Sequence, residues 1–167
     1  MSRNSEFDAL VRQHLAMIGR ICASYERDRE LARELTQEVL FAIWRALPAR
    51  RGESSLKTFV ARIAQFRAIS HVAKLSRLPF GEALDESLLD ARASPDAAAI
   101  AADERNRLLA AVQRLPLKYR EAAVLFLEDL TPAEIAGVLG LTPELVAVRL
   151  SRARALLRKL LGATDEK

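Results

Sequence analysis

The chain is short of the residues that most protein chemistries need. It has one cysteine in 167 residues, so no internal disulfide can form. The neighbours of Cys22 at helical spacing are apolar, which points to a small buried hydrophobe and not a nucleophile. Six glycines and six prolines are too few for a succession of tight β-turns or a glycine-rich nucleotide loop. The two histidines, His14 and His71, fall in different segments, and no His, Cys or carboxylate grouping has metal-ligand spacing. No Ser-His-Asp set is apparent. The sequence therefore offers no catalytic residue, metal site or cofactor site, and no small-molecule substrate is expected. No apolar run approaches the roughly 20 residues that span a bilayer. The stretch Met1–Glu6 lacks the apolar core of a signal peptide. A soluble, cytoplasmic protein without membrane association is the expectation.

What is abundant is Ala, Leu, Arg and Glu, all strong helix formers, and half of the chain is hydrophobic. An all-α fold follows. Lys and Arg outnumber Asp and Glu by 26 to 22, a mild excess whose distribution says more than its size. Residues 1–75 and the C-terminal stretch are net basic, and the segment between them is net acidic. Arg149, Arg152, Arg154, Arg158 and Lys159 follow one another with no acid between Leu145 and Thr164.

Periodicity divides the chain into two helical domains. Phe7, Leu10, Val11, Leu15, Ile18, Ile21, Cys22 and Tyr25 recur at three- and four-residue intervals and predict an amphipathic helix. After the charged break Glu26–Arg29, a second helix carries Leu31, Leu35, Val39, Ile43 and Leu47, with Phe41 and Trp44 beside the stripe, and stops at Pro48. A loop over 49–53 leads to Ser54 or Ser55 as the cap of a third helix, whose core face is Phe59, Val60, Ile63, Ile69, Val72 and Leu75. This first domain is placed at 1–75. An acidic linker follows at 76–94, with one turn near Leu88. Ser94-Pro95-Asp96 then forms a helix start signal, and that helix is expected to run to Leu115, before Pro116. The second domain is placed at 95–167.

The most specific local signal lies at 131–151. Thr131-Pro132-Ala133-Glu134 combines a capping box with proline in the first turn, opening a short helix that ends at Gly140. Thr142-Pro143-Glu144 starts the next helix at once. Small Ala136, the turn glycine and apolar Ile135, Leu139, Leu141 and Val146 fit a helix-turn-helix, whose second helix lies in the DNA major groove. An ordinary αα-hairpin within a bundle is the other reading of this stretch. Arg149 and Arg152 are placed to approach a duplex, each phosphate contact adding a salt-dependent increment to affinity.

Leu115-Pro116, Arg120, Leu125, Leu130-Thr131, Glu134-Ile135-Ala136, Leu139-Gly140, Val146 and Arg149-Leu150-Ser151-Arg152-Ala153-Arg154 together resemble region 4 of bacterial extracytoplasmic-function (ECF) sigma factors. Leu35-Thr36-Gln37-Glu38-Val39 with Trp44 resembles the Asp-Leu-x-Gln-Glu-x-Phe segment of region 2 in the same family. Thr58-Phe59-Val60-Ala61-Arg62-Ile63-Ala64 resembles its Thr-Trp-Leu-x-x-Ile-Ala segment. The resemblance covers nearly the whole chain in the family's order. It implies a non-enzymatic factor that binds core RNA polymerase, through the β′ clamp helices and the β flap, and directs it to promoter DNA. An anti-sigma protein or a Ser/Thr kinase is a candidate regulatory partner.

Carried over residue by residue, the resemblance assigns the upstream (minus-thirty-five) element to Thr142, Ala147, Val148, Arg149, Ser151 and Arg152. It assigns the downstream (minus-ten) element to Arg50, Arg51, Lys57, Phe59, Arg62 and Phe66, where cations hold a strand's phosphates and an aromatic stacks on an exposed base. Arg33, Glu34, Gln37 and Glu38 fall in the polymerase dock. Three departures stand out. Ala147 and Val148 replace the common Lys or Arg and Ser, so they offer only apolar contacts, and Arg152 is left as the candidate guanine reader. Phe66 and Ser70 stand where Asn and Asp are usual. Leu31-Ala32-Arg33-Glu34 replaces the common Asp-Ala-Glu-Asp. A phosphate on Thr36 would add about −1.5 to −2 charges and make good that deficit, so Thr36 is a candidate regulatory phosphosite. Two other functions fit parts of the pattern: a stand-alone helix-turn-helix regulator, and a sigma mimic that titrates an anti-sigma protein.

Overall fold

The computed structural model describes residues 2–76 and 97–165, and the side chains of 97–100 and 163–165 are left aside. The described residues are helical: α1 (Arg3–Tyr25), α2 (Arg29–Ala46), α3 (Leu56–Ser76), α4 (Ala97–Gln113), α5 (Leu117–Leu127), α6 (Pro132–Leu139) and α7 (Pro143–Asp165). A 3-10 turn at Leu47–Ala49 follows α2 and takes in Pro48.

Helix starts follow the cap chemistry. The Ser2 hydroxyl accepts from the Ser5 amide and starts α1 four residues ahead of the first apolar position in the sequence pattern. Asp28 accepts from the Glu30 and Leu31 amides and starts α2. Of the two serines before α3, Ser55 is the one that accepts, from the Thr58 amide. The predicted start signal Ser94-Pro95-Asp96, the acidic linker and the turn near Leu88 lie outside the described residues. At its other end α4 stops at Gln113, two residues short of the sequence expectation. Apolar periodicity does not mark α5 as a separate helix. It follows Pro116 directly, and Ala122–Leu125 are buried as an unbroken run, so no amphipathic alternation advertises it.

In α1 the buried side chains are Leu10, His14, Met17, Ile18, Ile21, Cys22, Ser24 and Tyr25. Leu15, expected in that stripe, is exposed, because helical phase puts His14 inward in its place. Leu31 and Leu75, also expected in the core, lie in the first turn of α2 and the last turns of α3, and both are exposed. Burial pushes the Cys22 thiol up to about 11, consistent with a packed, unreactive sulfur. The charged break after α1 is built into the fold. Glu26 is buried, with one carboxylate oxygen 2.6 Å from His71 Nε2 on α3 and the other accepting from the Asp28 amide.

The two halves share one core. Ile18, Ile21, Leu35, Val39, Ile43 and Val60 from the first half belong to the same buried cluster as Val112, Leu125, Ile135, Val146 and Leu150 from the second. Burying each such side chain contributes about 1.5–3 kcal/mol. Polar links cross the same seam. Arg20 forms a bidentate pair with Glu128, at 2.7 and 2.8 Å. Gln113 Nε2 donates to the Ala23 carbonyl, and Gln65, itself 1% exposed, donates to the Glu121 carbonyl. The two halves, which the sequence places on either side of a linker without fixing their relative position, meet along α1–α4, α1–α5 and α3–α6.

Candidate nucleic-acid interface

The second half supplies a rigid reading unit. Thr131 and Glu134 close a complete capping box: the Thr131 hydroxyl accepts from the Glu134 amide, and the Glu134 carboxylate accepts from the Thr131 amide. Those bonds, with one from the Thr58 hydroxyl, hold the Glu134 carboxyl below the usual carboxylate range. Gly140 ends α6 in the left-handed region, at φ 67°, and lets the chain turn directly into α7. The Thr142 hydroxyl accepts from the Leu145 amide and fixes the start of α7.

Along α7, Val146, Leu150 and Ala153 are buried one or two turns apart, and α5 is the helix against which α7 chiefly packs. The opposite face carries Ala147, Val148, Ser151 and Arg152, all exposed. This is the geometry a major-groove helix requires: one stripe locked into the protein, the other presented by the first turns. Of the two arginines expected at the duplex, Arg152 faces solvent. Arg149 is half-buried, and its charge counteracts the burial that raises the Glu121 carboxyl on α5. Arg154 lies 4.9 Å from the Phe126 ring centroid of α5.

The first half presents a different surface. Arg50 turns inward. It donates to the Ser54 carbonyl at 3.0 Å and lies 5.8 Å from the Phe59 ring centroid, so it shapes the loop that carries exposed Arg51. Phe59 is half-buried and packs on the core. Lys57 is also half-buried, and its charge helps to lower the pKa of His14, which burial depresses first. Arg62 is exposed and reaches the Gly137 carbonyl of α6 at 3.4 Å. Phe66 is 67% exposed and lines a cleft of about 580 Å³, together with Arg62, Ile63, Val138 and Leu139. The six residues assigned from sequence to the downstream element therefore share one side of the molecule only in part. Lys57, Arg62 and Phe66 border the second half, and Arg50 and Phe59 chiefly support the loop.

On α2, Arg33, Glu34, Gln37 and Glu38 are all exposed. Arg33 pairs with Glu30 across one turn at 3.7 Å, so Glu34 and Glu38, spaced one turn apart, are left as an acidic stripe. Phe41 continues that face at 60% exposure and stacks with Trp44, 6.4 Å between centroids. Periodicity placed Phe41 beside the core stripe and did not single it out as a surface residue. Its signal was its offset from Val39 and Ile43. Arg3 covers the other aromatic, 3.7 Å from the Trp44 ring centroid, and donates to the Trp44 carbonyl at 2.7 Å. Thr36 lies off the exposed face. It is half-buried, and its hydroxyl donates to the Ala32 carbonyl at 2.8 Å. Among the described residues no cluster of His, Cys, Asp or Glu could hold a metal ion, and no helix is long and apolar enough to cross a membrane.

Known proteins share this arrangement. The sequence profile of the Sigma-70 region 2 family matches residues 10–78, and that of Sigma-70, region 4 matches residues 105–157. The RNA polymerase sigma-H factor of Pseudomonas aeruginosa is 29% identical over 167 aligned residues, covering 93% of this chain and 86% of its own. The ECF RNA polymerase sigma factor SigM of Mycobacterium tuberculosis is 26% identical over 157 residues, covering 93% of this chain and 77% of its own. In fold, the chain is similar to the sigma factor RpoE of Bartonella quintana, solved in complex with the anti-sigma factor NepR. The TM-score is 0.73 at 20% identity, with 94% and 97% of the two chains covered. It is also similar to CnrH, solved with the cytosolic domain of CnrY, at a TM-score of 0.69 and 23% identity over 96% and 90%. With both sigma regions in the family's order and relatives matching along nearly its whole length, this chain belongs to the ECF family of RNA polymerase sigma factors.

Proposed function

We propose that this sigma factor divides its work among three surfaces. The exposed face of α7, with Ala147, Val148, Ser151 and Arg152, reads the upstream promoter element as duplex. The loop at Arg50–Arg51 and the α3 face at Lys57, Arg62 and Phe66 receive the melted downstream strand. The outer face of α2, with Glu34, Gln37 and Glu38, docks on core RNA polymerase. The observation that carries the reading is the two-sidedness of α7: Val146, Leu150 and Ala153 are buried, and the reader positions are exposed directly after the Gly140 turn. Work with the polymerase supports a cytoplasmic location for the factor.

Arg152 is the one long donor among the exposed reader positions, and a bidentate contact to guanine discriminates by about 1–3 kcal/mol. Run-off transcription with core polymerase on a panel of upstream-element variants tests this. Arg152→Ala is expected to relax preference at one or two base pairs, and equal weakening on every promoter would contradict the assignment. Control by an anti-sigma protein is supported by the Bartonella quintana relative, which was solved with such a partner. A phosphate switch at Thr36 draws no such support, because the hydroxyl is already bonded within α2 and only half exposed.

A further inference from the structure

The cleft of about 580 Å³ at the seam has the size of a small-molecule site, and its lining is not uniform. Ala42 and Ala46 of α2, Ile63 of α3, and Val138 and Leu139 of α6 give it apolar walls. Three further side chains of α3 set its mouth. Arg62 and Phe66 lie one turn apart, as do Ile63 and Arg67, so the two rows run side by side. Arg62, Phe66 and Arg67 are all exposed, and an aromatic ring thus stands between two guanidiniums. Such a ring is a platform for a planar group, and guanidiniums suit phosphate. The one hydrogen bond of Arg62 among the described residues, to the Gly137 carbonyl, is long at 3.4 Å and readily exchanged for an anion.

The second half contributes a carboxylate. Glu121 of α5 lines the same cleft, and its backbone carbonyl is taken by Gln65. Its side chain is half-buried and makes no hydrogen bond or ion pair among the described residues. Burial raises this carboxyl, and the charge of Arg149 opposes the rise. A ligand that donates to the carboxylate relieves the same cost. Its two oxygens are best matched by two adjacent N–H donors. Among the nucleic-acid bases only guanine presents such a pair, N1–H beside the 2-amino group. Adenine and cytosine set an acceptor beside their amine, and uracil and thymine flank one N–H with two acceptors.

We propose that this cleft binds a free guanine nucleotide, with the base between Phe66 and the apolar wall, its N–H edge on Glu121, and its phosphates on Arg62 and Arg67. The nucleotide is a ligand and is not chemically changed. The site goes beyond promoter reading, because it needs no DNA and is completed by α5 and α6. It also makes the packing of the two halves sensitive to the nucleotide, since each half supplies part of the wall.

Fluorescence anisotropy of ribose-labelled guanosine diphosphate on the full-length chain, without polymerase, tests the proposal. Saturable binding is expected, half-complete below about 100 μM. Unlabelled adenosine diphosphate should compete at least about tenfold less well than guanosine diphosphate. No saturation, equal competition by the two, or displacement by inorganic phosphate at the same concentration would overturn the proposal. Glu121→Gln is expected to abolish the preference for guanine. Phe66→Ala should weaken both nucleotides about tenfold, and Arg67→Gln should weaken the diphosphate about three- to fivefold and leave guanosine unchanged. Wild-type values in these variants, with helix content intact by circular dichroism, count against it. Phe66 and Arg67 are exposed, so their variants keep the test decisive should Glu121→Gln fail to fold. A labelled 12-nucleotide oligothymidine single strand separates this site from the strand-binding reading. A strand that binds where the free nucleotide does not overturns the proposal and leaves that reading intact. Nucleotide binding without strand binding supports the proposal and counts against the reading alone.

Discussion

The two halves achieve their functional surfaces by opposite means. In the C-terminal half, the surface follows from residues close together in sequence. The Thr131–Glu134 box, the Gly140 turn and the Thr142 cap fall within about a dozen positions and fix where Arg152 points. In the N-terminal half, the surface depends on partners far along the chain. Thr58 meets Glu134 and Arg62 meets Gly137, each more than seventy residues away. A reader of rigid duplex benefits from local specification, because its geometry must be the same in every state. A surface bordered by a distant segment takes part of its shape from how the two halves pack.

The sharpest way to break this contrast is to damage the shared core on either side. Ile18 and Leu125 are both fully buried, and truncating either to alanine is expected to cost about 2–5 kcal/mol. If the halves are one cooperative unit, Ile18→Ala and Leu125→Ala each lower a single thermal transition. Two transitions, with only one of them moved by each variant, would show that the seam adds little to stability. A smaller effect is expected at the turn. Gly140→Ala meets no neighbouring atom within 4 Å, so its cost is conformational, about 1–2 kcal/mol for a left-handed alanine. It should weaken upstream duplex binding and leave binding of the single-stranded probe nearly unchanged; equal loss in both assays would erase the distinction between the halves. The smallest effect is expected at Thr36. Thr36→Ala removes one hydroxyl bonded within its own helix and should leave polymerase association, measured by a pull-down with core enzyme, close to wild type. A large loss restored by Thr36→Glu would reinstate charge at this position as the controlling variable.

Much of this was legible in the sequence, for reasons that differ along the chain. The helix-turn-helix was readable because caps and a turn glycine act over three or four residues, and Thr131, Glu134, Gly140 and Thr142 do in the fold what their spacing predicts. The third helix was readable to its cap, with Ser55 selected over Ser54 by geometry alone. Helix α5 was not, since its buried run Ala122–Leu125 has no alternation. Leu15 and His14 show the limit of ranking side chains by hydropathy: phase decides which of two neighbours faces inward, and here it favours the histidine. The seam was the least legible feature. Arg20 and Glu128 are 108 positions apart, and nothing within either helix signals the other. The sequence-assigned DNA contacts divide along the same line. Arg152 and Arg51 are exposed as their assignment needs, whereas Arg50 and Arg149 are drawn into contacts with the protein itself.

Trp44 is the single tryptophan of the chain, and it sits in the first half beneath the guanidinium of Arg3 and beside the ring of Phe41. Its emission is therefore an optical gauge of α1 on α2 that is blind to the helix-turn-helix. Ellipticity in the far ultraviolet sums over both halves. Recorded together during a urea titration, the two signals give a label-free view of whether the molecule comes apart in one event or two.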